Sequence, residues 1–366
     1  MCDRPLTMND ISVRHITPDD YGPLFRLVKD ILSESDAQKA PYFNEEFWRW
    51  QCLTPGFESV VTVAEEGDKL VGSFHLVSRE MFLREKKGRM VLLHDLGVLE
   101  AYRRRGLFLR LAQCAVEHVT ERGWDMTYSL PNEKSYPGFI KHLEYTHVTV
   151  SPVYIRPLHP EVILAERLPF AGIWKFLGRT AMGFYDSLRP LNKQAEDLTI
   201  SPVPRFSSEV DDISRQFVAR AGLGCTRDAN FLNWRFVDHP GVDYDRWEIR
   251  RENKLLAYLV TRVAKLFGAD VLLLMDMACE DDEDDALMVL ISERLQAARD
   301  QGLALGVLMG LHPFFSQLGG LAFYTIPEGL NPRPMNFIVR PHVDHLGDEI
   351  YDPSNWCITL ADLDIL

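Results

Sequence analysis

The chemically most informative stretch of this chain runs from His94 to Leu111: His-Asp-Leu-Gly-Val-Leu-Glu-Ala-Tyr-Arg-Arg-Arg-Gly-Leu-Phe-Leu-Arg-Leu. Alternation up to Leu99 predicts a strand, whereas Leu107, Leu111, Ala115 and Val119 fall four apart, the spacing of one helix face. A tight basic turn, Arg103-Arg104-Arg105-Gly106, joins the two. The first amides of a helix have no intrahelical acceptor, so they point at whatever fills such a turn, and a phosphate fits there. Gly106 lets the backbone approach closely, and three guanidinium groups add charge. The same letters also fit a solvated basic loop before an ordinary helix start.

Local charge separates these readings. The chain has 40 Lys and Arg against 53 Asp and Glu, a formal charge of −13. Residues 79–110 nevertheless carry nine basic and four acidic side chains, a net of +5. The corresponding window further on, residues 262–293, carries two basic and nine acidic side chains, a net of −7. Only the first can hold a polyphosphate: residues 281–285 would repel an anion while satisfying their own helix end. A metal site in that run is disfavoured by the missing D-x-D-x-D-G spacing.

The elements that must position this turn can be read on either side of it. A strand is expected at 11–16, a helix through Leu24, Leu27, Ile31 and Leu32, and an aromatic helix at 44–53. Strands follow at 59–64, 69–83 and 89–99, then the helix from Gly106 to about Gly123, a strand at 126–130, a short helix at 136–143 and a strand at 147–155. Residues 157 to about 200 form a weakly patterned connector with an amphipathic stretch at 164–177. The order then begins again, with helices at 213–219 and 231–236, strands at 247–249, 255–266 and 269–278, a helix at 284–298, a strand at 304–309, a short helix at 313–318 and a last strand at 336–339. Two copies of one α/β plan are implied, without visible identity between them.

Length agrees, since 366 residues at about 150 per domain suggest two domains. A hydrophobic fraction of 46% and a charged fraction of 25% exclude disorder, collagen and coiled coil. The acidic balance argues against a nucleic-acid or anionic-membrane partner. The start, Met-Cys-Asp-Arg-Pro, does not read as a secretory signal, and the longest apolar runs, such as 271–275, are strand-sized. Six singly scattered cysteines read as reduced thiols of a cytoplasmic protein.

The chain resembles the GNAT superfamily of acyl-coenzyme A-dependent N-acyltransferases. Val98, Arg103-x-x-Gly106-x-Phe108 and Leu111 correspond to the superfamily's V-x(4)-[QR]-x-x-G-x-[GA] turn, and Asn132, Ser135 and the short helix after them fall where it places an Asn and a helix. These residues cover 95–145, and the order of elements extends the likeness to 11–158. Phe108 departs from the pattern, which has a small residue there. The resemblance implies two tandem GNAT-like domains of α/β (α+β) class, each a mixed, mostly antiparallel twisted sheet flanked by helices. Residues 1–158 would be the catalytic domain, 159–200 a connector and 201–366 a degenerate copy without a cofactor site. Acetyl-CoA or another short-chain acyl-CoA would lay its pyrophosphate on the amides of Arg104, Arg105, Gly106, Leu107, Phe108 and Leu109, beside Arg103, Asn132 and Ser135. Its pantetheine arm would pair with the backbone of Leu96, Gly97 and Val98. An amine of a small molecule would attack the thioester directly, which requires positioning, an oxyanion donor and proton transfer.

Three candidates stand for proton transfer. His94 shares a strand face with Leu96 and Val98 by period two, and a histidine titrating near 6.5 suits a base at neutral pH. The string His94-Asp95-Leu-Gly-Val is similar to the arylalkylamine acetyltransferase branch, in which a histidine on this strand removes the proton; Asp95 is the second candidate. The superfamily's usual acid, a tyrosine, maps onto Phe139 or Ile140, which leaves Tyr136 as the nearest phenol, with packing against Pro137 as its alternative. The pair His342 and His345 has metal-like letters but no partner motif, and Trp48, Trp50, Trp234 and Phe236 read as core or as the roof of a cleft. The degenerate half is expected to close the acceptor cleft, to form a homodimer surface, or both. The ending Trp356-x-Ile-Thr-Leu-x-Asp-x-Asp364 and the string from Ser135 to Phe139 resemble tandem members that acylate amino sugars, which points to a nucleotide-linked amino sugar. The rival readings are a non-catalytic acyl-CoA sensor and a Fem-type aminoacyl transferase; the charge of −13 disfavours the second, which needs a basic surface for tRNA.

Overall fold

A computed structural model describes residues 11–35, 44–54, 58–84, 86–167, 197–266, 268–331 and 334–363. The amphipathic stretch expected at 164–177, and with it most of the connector, lies outside the described residues. The chain forms two compact units. The first is built from the residues up to Val150 together with Met335–Pro353; the second is built from Ser151–Pro334 with Ser354–Leu363.

The first unit contains β1 (Ile11–His15), α1 (Tyr21–Ser35), α2 (Glu45–Leu53), β2 (Ser59–Glu66), β3 (Lys69–Leu83), β4 (Lys86–Val98), α3 (Leu107–Glu121), β5 (Met126–Ser129), α4 (Tyr136–His142) and β6 (Thr146–Val150). Leu83 pairs with Lys86 at the tip of the β3–β4 hairpin. Helices α1 and α2 bury Leu24, Leu27, Ile31, Phe47 and Trp48 with Val61 and Val63 on one face of the sheet. Helix α3 and α4 bury Leu107, Leu111, Ala115 and Phe139 with Phe74, Leu76, Val91 and Leu93 on the other. Because β3 is covered on both faces, Leu70 through Ser78 are buried without a break.

The second unit contains β7 (Val153–Pro157), α5 (Pro160–Arg167), β8 (Leu198–Pro202), α6 (Glu209–Ala221), β9 (Leu223–Cys225), α7 (Ala229–Phe236), β10 (Asp245–Arg251), β11 (Lys254–Leu266), β12 (Ala269–Cys279), α8 (Asp284–Asp300), β13 (Leu305–Met309) and β14 (Tyr324–Thr325). Its sheet runs β14-β7-β13-β12-β11-β10-β8, with only β12 and β13 parallel. The two units repeat one plan. Each has a long hairpin (β3–β4, β11–β12), a helix after it (α3, α8) and a strand parallel to the second hairpin strand (β5, β13). A left-handed residue precedes each helix, Arg104 at φ 64° and Asp282 at φ 65°.

Two expectations about the division of the chain give way here. The strand expected at 147–155 is two strands, since Ser151 and Pro152 interrupt it and proline has no amide to offer a ladder; β6 joins the first sheet and β7 the second. The last strand, β15 (Asn336–Pro341), belongs to the first unit, between β5 and β6. The main path of the first sheet is therefore β1-β2-β3-β4-β5-β15-β6, along which β4 and β5 run parallel and the other pairs antiparallel. Each unit thus takes one strand from the opposite half of the sequence, so neither 1–158 nor 201–366 contains a complete sheet. At the C-terminal end, β16 (Trp356–Cys357) pairs with β9 inside the second unit.

Candidate active site

The site of interest is where β4 and β5 part. They pair at Met90–Met126, Val91–Thr127 and Leu92–Tyr128 and no further. Beyond Leu93 only β3 pairs with β4, which leaves the other edge of Leu96, Gly97 and Val98 without a strand among the described residues. Such an edge offers amides and carbonyls to an extended ligand.

A bulge lies at the start of this free segment. His75 pairs with His94 and Ser73 with Gly97, so β4 spends three steps where β3 spends two. The extra residue reverses the alternation, which corrects the period-two expectation for His94. Leu96 and Val98 pack with Leu93 on the α3 side. Gly97 lies on the α1 side, where a Cβ would stand 2.5 Å from Ile31 Cγ2. His94 shares that face, with its ring against His75 at 5.8 Å and its Nδ1 3.5 Å from Gln51 Nε2 on α2.

The basic turn has the backbone its sequence implies. Gly106 is the N-cap of α3 at φ 70°, a conformation in which a side chain is strained, and no side chain caps the helix. The first α3 bond runs from the Arg110 amide to the Gly106 carbonyl. Among the described residues no acceptor meets the amides of Arg104 through Leu109. The three arginines, expected to act alike, divide their roles. Arg103 donates to the Val98 carbonyl (3.0 Å) and pairs with Glu34 on α1 (3.1 Å), fixing the turn rather than offering free charge. Arg105 lies over the Tyr102 ring at 5.0 Å and donates to the Ala101 carbonyl. Arg104 is exposed and has no partner among the described residues.

Phe108, the departure from the superfamily pattern, is accommodated by a glycine. A Cβ on Gly138 would stand 2.7 Å from Phe108 Cε1, and the Phe108 ring meets Phe139 edge to face at 5.6 Å. Large at 108 is thus matched by small at 138, which keeps α4 close to the start of α3. Gly138→Val is expected to displace Phe108 and to lower stability by about 1–3 kcal/mol; thermal melting measures it.

Asn132 and Ser135 have local roles. Asn132 Oδ1 accepts from the amides of Lys134 and Ser135, each at 3.0 Å, an Asx turn that starts α4. Tyr136 packs at the edge of the α3-side cluster, its ring perpendicular to His147 at 5.9 Å. The structure therefore does not bring Tyr136 and His94 together, because they belong to opposite faces of the sheet. The Asp95 side chain lies outside the described residues. Gln51, Ser73 and His75, all buried, were missed from the sequence. Nothing in the strand marks Ser73 and His75 as site residues, because Ser78, Arg79 and Glu80 are further polar letters in the same strand.

The second unit keeps the architecture with an acidic turn in place of the basic one. Its hairpin has a bulge in β12 between Leu274 and Asp276, and β12 leaves β13 after Leu274. The acidic turn is neutralised by arginine and lysine: Arg220 pairs with Asp281 and Asp284, Arg251 with Glu283 and Lys254 with Glu280. The C-terminal segment lies beside the separated strands. Leu311 and Ile358 exchange backbone bonds of 2.8 Å, and the Thr359 hydroxyl donates to Asp276 at 2.7 Å.

Among the described residues no group of three or more His, Cys, Asp or Glu is arranged to hold a metal ion. The His342 ring lies between the hydroxyls of Thr120 (2.9 Å from Nδ1) and Thr127 (3.0 Å from Nε2), and His345 faces Asp125 at 3.2 Å. Burial holds His342 down to about 4. Since the unfolded chain binds that proton near 6.5, the unfolded state holds more protons between these values. Stability is expected to be constant above about pH 6.5 and to fall as pH drops toward 4, by up to about 3 kcal/mol from this group. Melting His342→Gln alongside the parent checks it, because the variant's curve should be flatter. Trp48, Trp234 and Phe236 are core residues, and Trp50 packs on the α1–α2 cluster. Cys114, Cys225, Cys279 and Cys357 are buried and not in disulfides. Among the described residues no helix is long and apolar enough to cross a membrane.

Comparison with known proteins agrees with this geometry. Residues 12–148 match the family model described as an acetyltransferase (GNAT) domain. Three solved structures share the fold over most of the chain. A conserved protein of unknown function from Enterococcus faecalis, described as a probable N-acyltransferase, is 12% identical, with 91% of this chain and 72% of that chain covered at a TM-score of 0.61. A GCN5-related N-acetyltransferase from Anabaena variabilis is 10% identical, with 91% and 73% covered at 0.60. An N-myristoyltransferase from Saccharomyces cerevisiae, solved with bound myristoyl-CoA, is 14% identical, with 92% and 80% covered at 0.60. No curated protein matches the sequence. The matched domain gives residues 12–148 the class of an acyl-CoA-dependent N-acyltransferase. The family match covers residues 12–148, within the first unit, and the likeness over the rest of the chain is one of fold.

Proposed function

We propose that this enzyme moves an acetyl or other short acyl group from coenzyme A to a primary amine of a small molecule, and that only the first unit binds the cofactor. One observation carries the reading: a left-handed Gly106 opens α3 with amides that meet no acceptor among the described residues, next to a β4 edge on which no described strand pairs. The amides of Arg104 to Leu109 would hold the diphosphate, with Arg104 as the uncommitted guanidinium, and Leu96 to Val98 would pair with the pantetheine arm. Coenzyme A supplies the activated thioester. The chain positions the amine beside it, and His94, at the bulge where β4 leaves β5, serves as the proton-transfer group. In the second unit, acidic side chains at the turn and the C-terminal segment beside the separated strands support the loss of cofactor binding. A nucleotide-linked amino sugar is the first acceptor to try, and the buried thiols suit a cytoplasmic location.

Gly106→Val combined with Arg104→Glu tests the site. Acetyl-CoA affinity should fall by at least ~100-fold, about 2.8 kcal/mol, while the strain of a side chain at positive φ lowers stability by about 1–2 kcal/mol and leaves the chain folded. Affinity unchanged in a folded variant would refute the assignment. Tight binding without thiol release against any amine would favour the sensor reading.

A further inference from the structure

We propose that Gln51 and His75 are positioning residues that hold His94 as the tautomer protonated on Nε2, so that Nε2 gives its proton to the departing thiolate while the acylated amine returns one to the same nitrogen, leaving the ring neutral throughout; this rests on the reading of His94 as the proton-transfer group. The argument begins with α2. Asn44 caps it by accepting from the Phe47 amide at 2.8 Å, and Phe47 and Trp48 turn one face into the core. Gln51, three and four residues further on, shares that face and is only 6% exposed. A primary amide placed there must spend its hydrogen bonds on specific partners.

One of those partners is His94. The Gln51 amide nitrogen lies 3.5 Å from Nδ1 of a ring that is itself 8% exposed. An amide nitrogen can only donate, so Nδ1 must accept and the proton of the neutral ring resides on Nε2. A base acting through Nε2 needs the opposite tautomer.

His75 restrains the ring in a second way. It is the cross-strand partner of His94 and fully buried, and the two rings meet edge to face at 71°. That contact limits rotation about the His94 side chain, and the Gln51 bond selects one of its two nitrogens. The β4 bulge explains why both contacts fall on this residue, because His94 is the last position in regular register before the strand shifts.

Nitrogen NMR of the full chain labelled with ¹⁵N-histidine reads the tautomer directly, without acceptor or cofactor. Signals are assigned by their loss in His94→Gln, and folding is checked by circular dichroism. At pH above the ring's titration, Nδ1 of His94 should resonate as unprotonated and Nε2 as protonated. Gln51→Leu should give averaged signals from mixed tautomers. Gln51→Glu, whose carboxylate only accepts, should move the proton to Nδ1. His75→Phe should preserve the wild-type pattern, and His75→Ala should blur it. A proton on Nδ1 in the wild type, or an unchanged tautomer in a folded Gln51→Leu, overturns the proposal. The parent reading fails separately: full acetyl-transfer activity in His94→Gln would remove His94 from the reaction and leave the tautomer result standing.

Discussion

Residues 1–158 expressed alone are expected not to fold, and to bind acetyl-CoA at least ~100-fold more weakly than the full chain. The reason is the place of β15. Ile338, Val339, Arg340 and Pro341 pair with Ser129, Tyr128, Thr127 and Met126 on one side, and Asn336 to Val339 pair with β6 on the other. Without them β5 and β6 have no partner between them, two ladders are lost, and Phe337, Ile338 and Val339 leave a core in which they are fully buried. Damage would fall on β5, one of the two strands whose parting forms the site.

The register also suggests a remedy. Val150 and Asn336 are directly opposed across β6 and β15, so a two-residue Asn-Gly turn can join them as a hairpin. A chain of residues 1–150, that turn and residues 336–353 should recover native circular dichroism and acetyl-CoA binding. A well-folded 1–158 fragment with wild-type affinity would contradict this account of the first unit.

Arg227→Met should be the most damaging single substitution, lowering stability by about 3–5 kcal/mol. Arg227 is completely buried in the second unit. It pairs with Asp276 at 2.9 Å and with Asp362, donates to the Cys225 carbonyl at 2.8 Å and meets the Thr359 hydroxyl. Tyr258 donates to the second Asp276 oxygen at 2.8 Å. Removing the one cation leaves two carboxyls without compensation where water does not reach. Burial already pushes the Asp362 carboxyl up despite Arg227. Asp362→Asn should therefore cost much less than Arg227→Met. Chemical denaturation of both variants measures the order; equal, small losses would show that this network contributes little.

The reading of local order from sequence succeeded where short-range patterns decide it. Four-residue spacing after Gly106 marked α3, and alternation marked the β3 and β4 strands. The run of charge distinguished the basic turn from its acidic counterpart. It did not divide labour among Arg103, Arg104 and Arg105, because Glu34 and Tyr102, which engage two of them, lie on other segments.

The face of His94 was read wrongly for a related reason. Period two holds only while strands stay in register, and a bulge depends on the partner strand. Gln51 and His75 were invisible as site residues for the same cause, since nothing in their own surroundings says that α2 and β3 bring them to His94.

What the amino acids determined alone is the identity of the elements, the basic turn before α3 and the contrast in charge between two copies, all properties of neighbours within about one helical turn or strand. Tertiary structure decided which strand completes which sheet, where the alternation of β4 reverses and which side chains surround His94. These depend on pairings between residues as far apart as Tyr128 and Val339, whose backbone bonds carry no signature in the side-chain sequence.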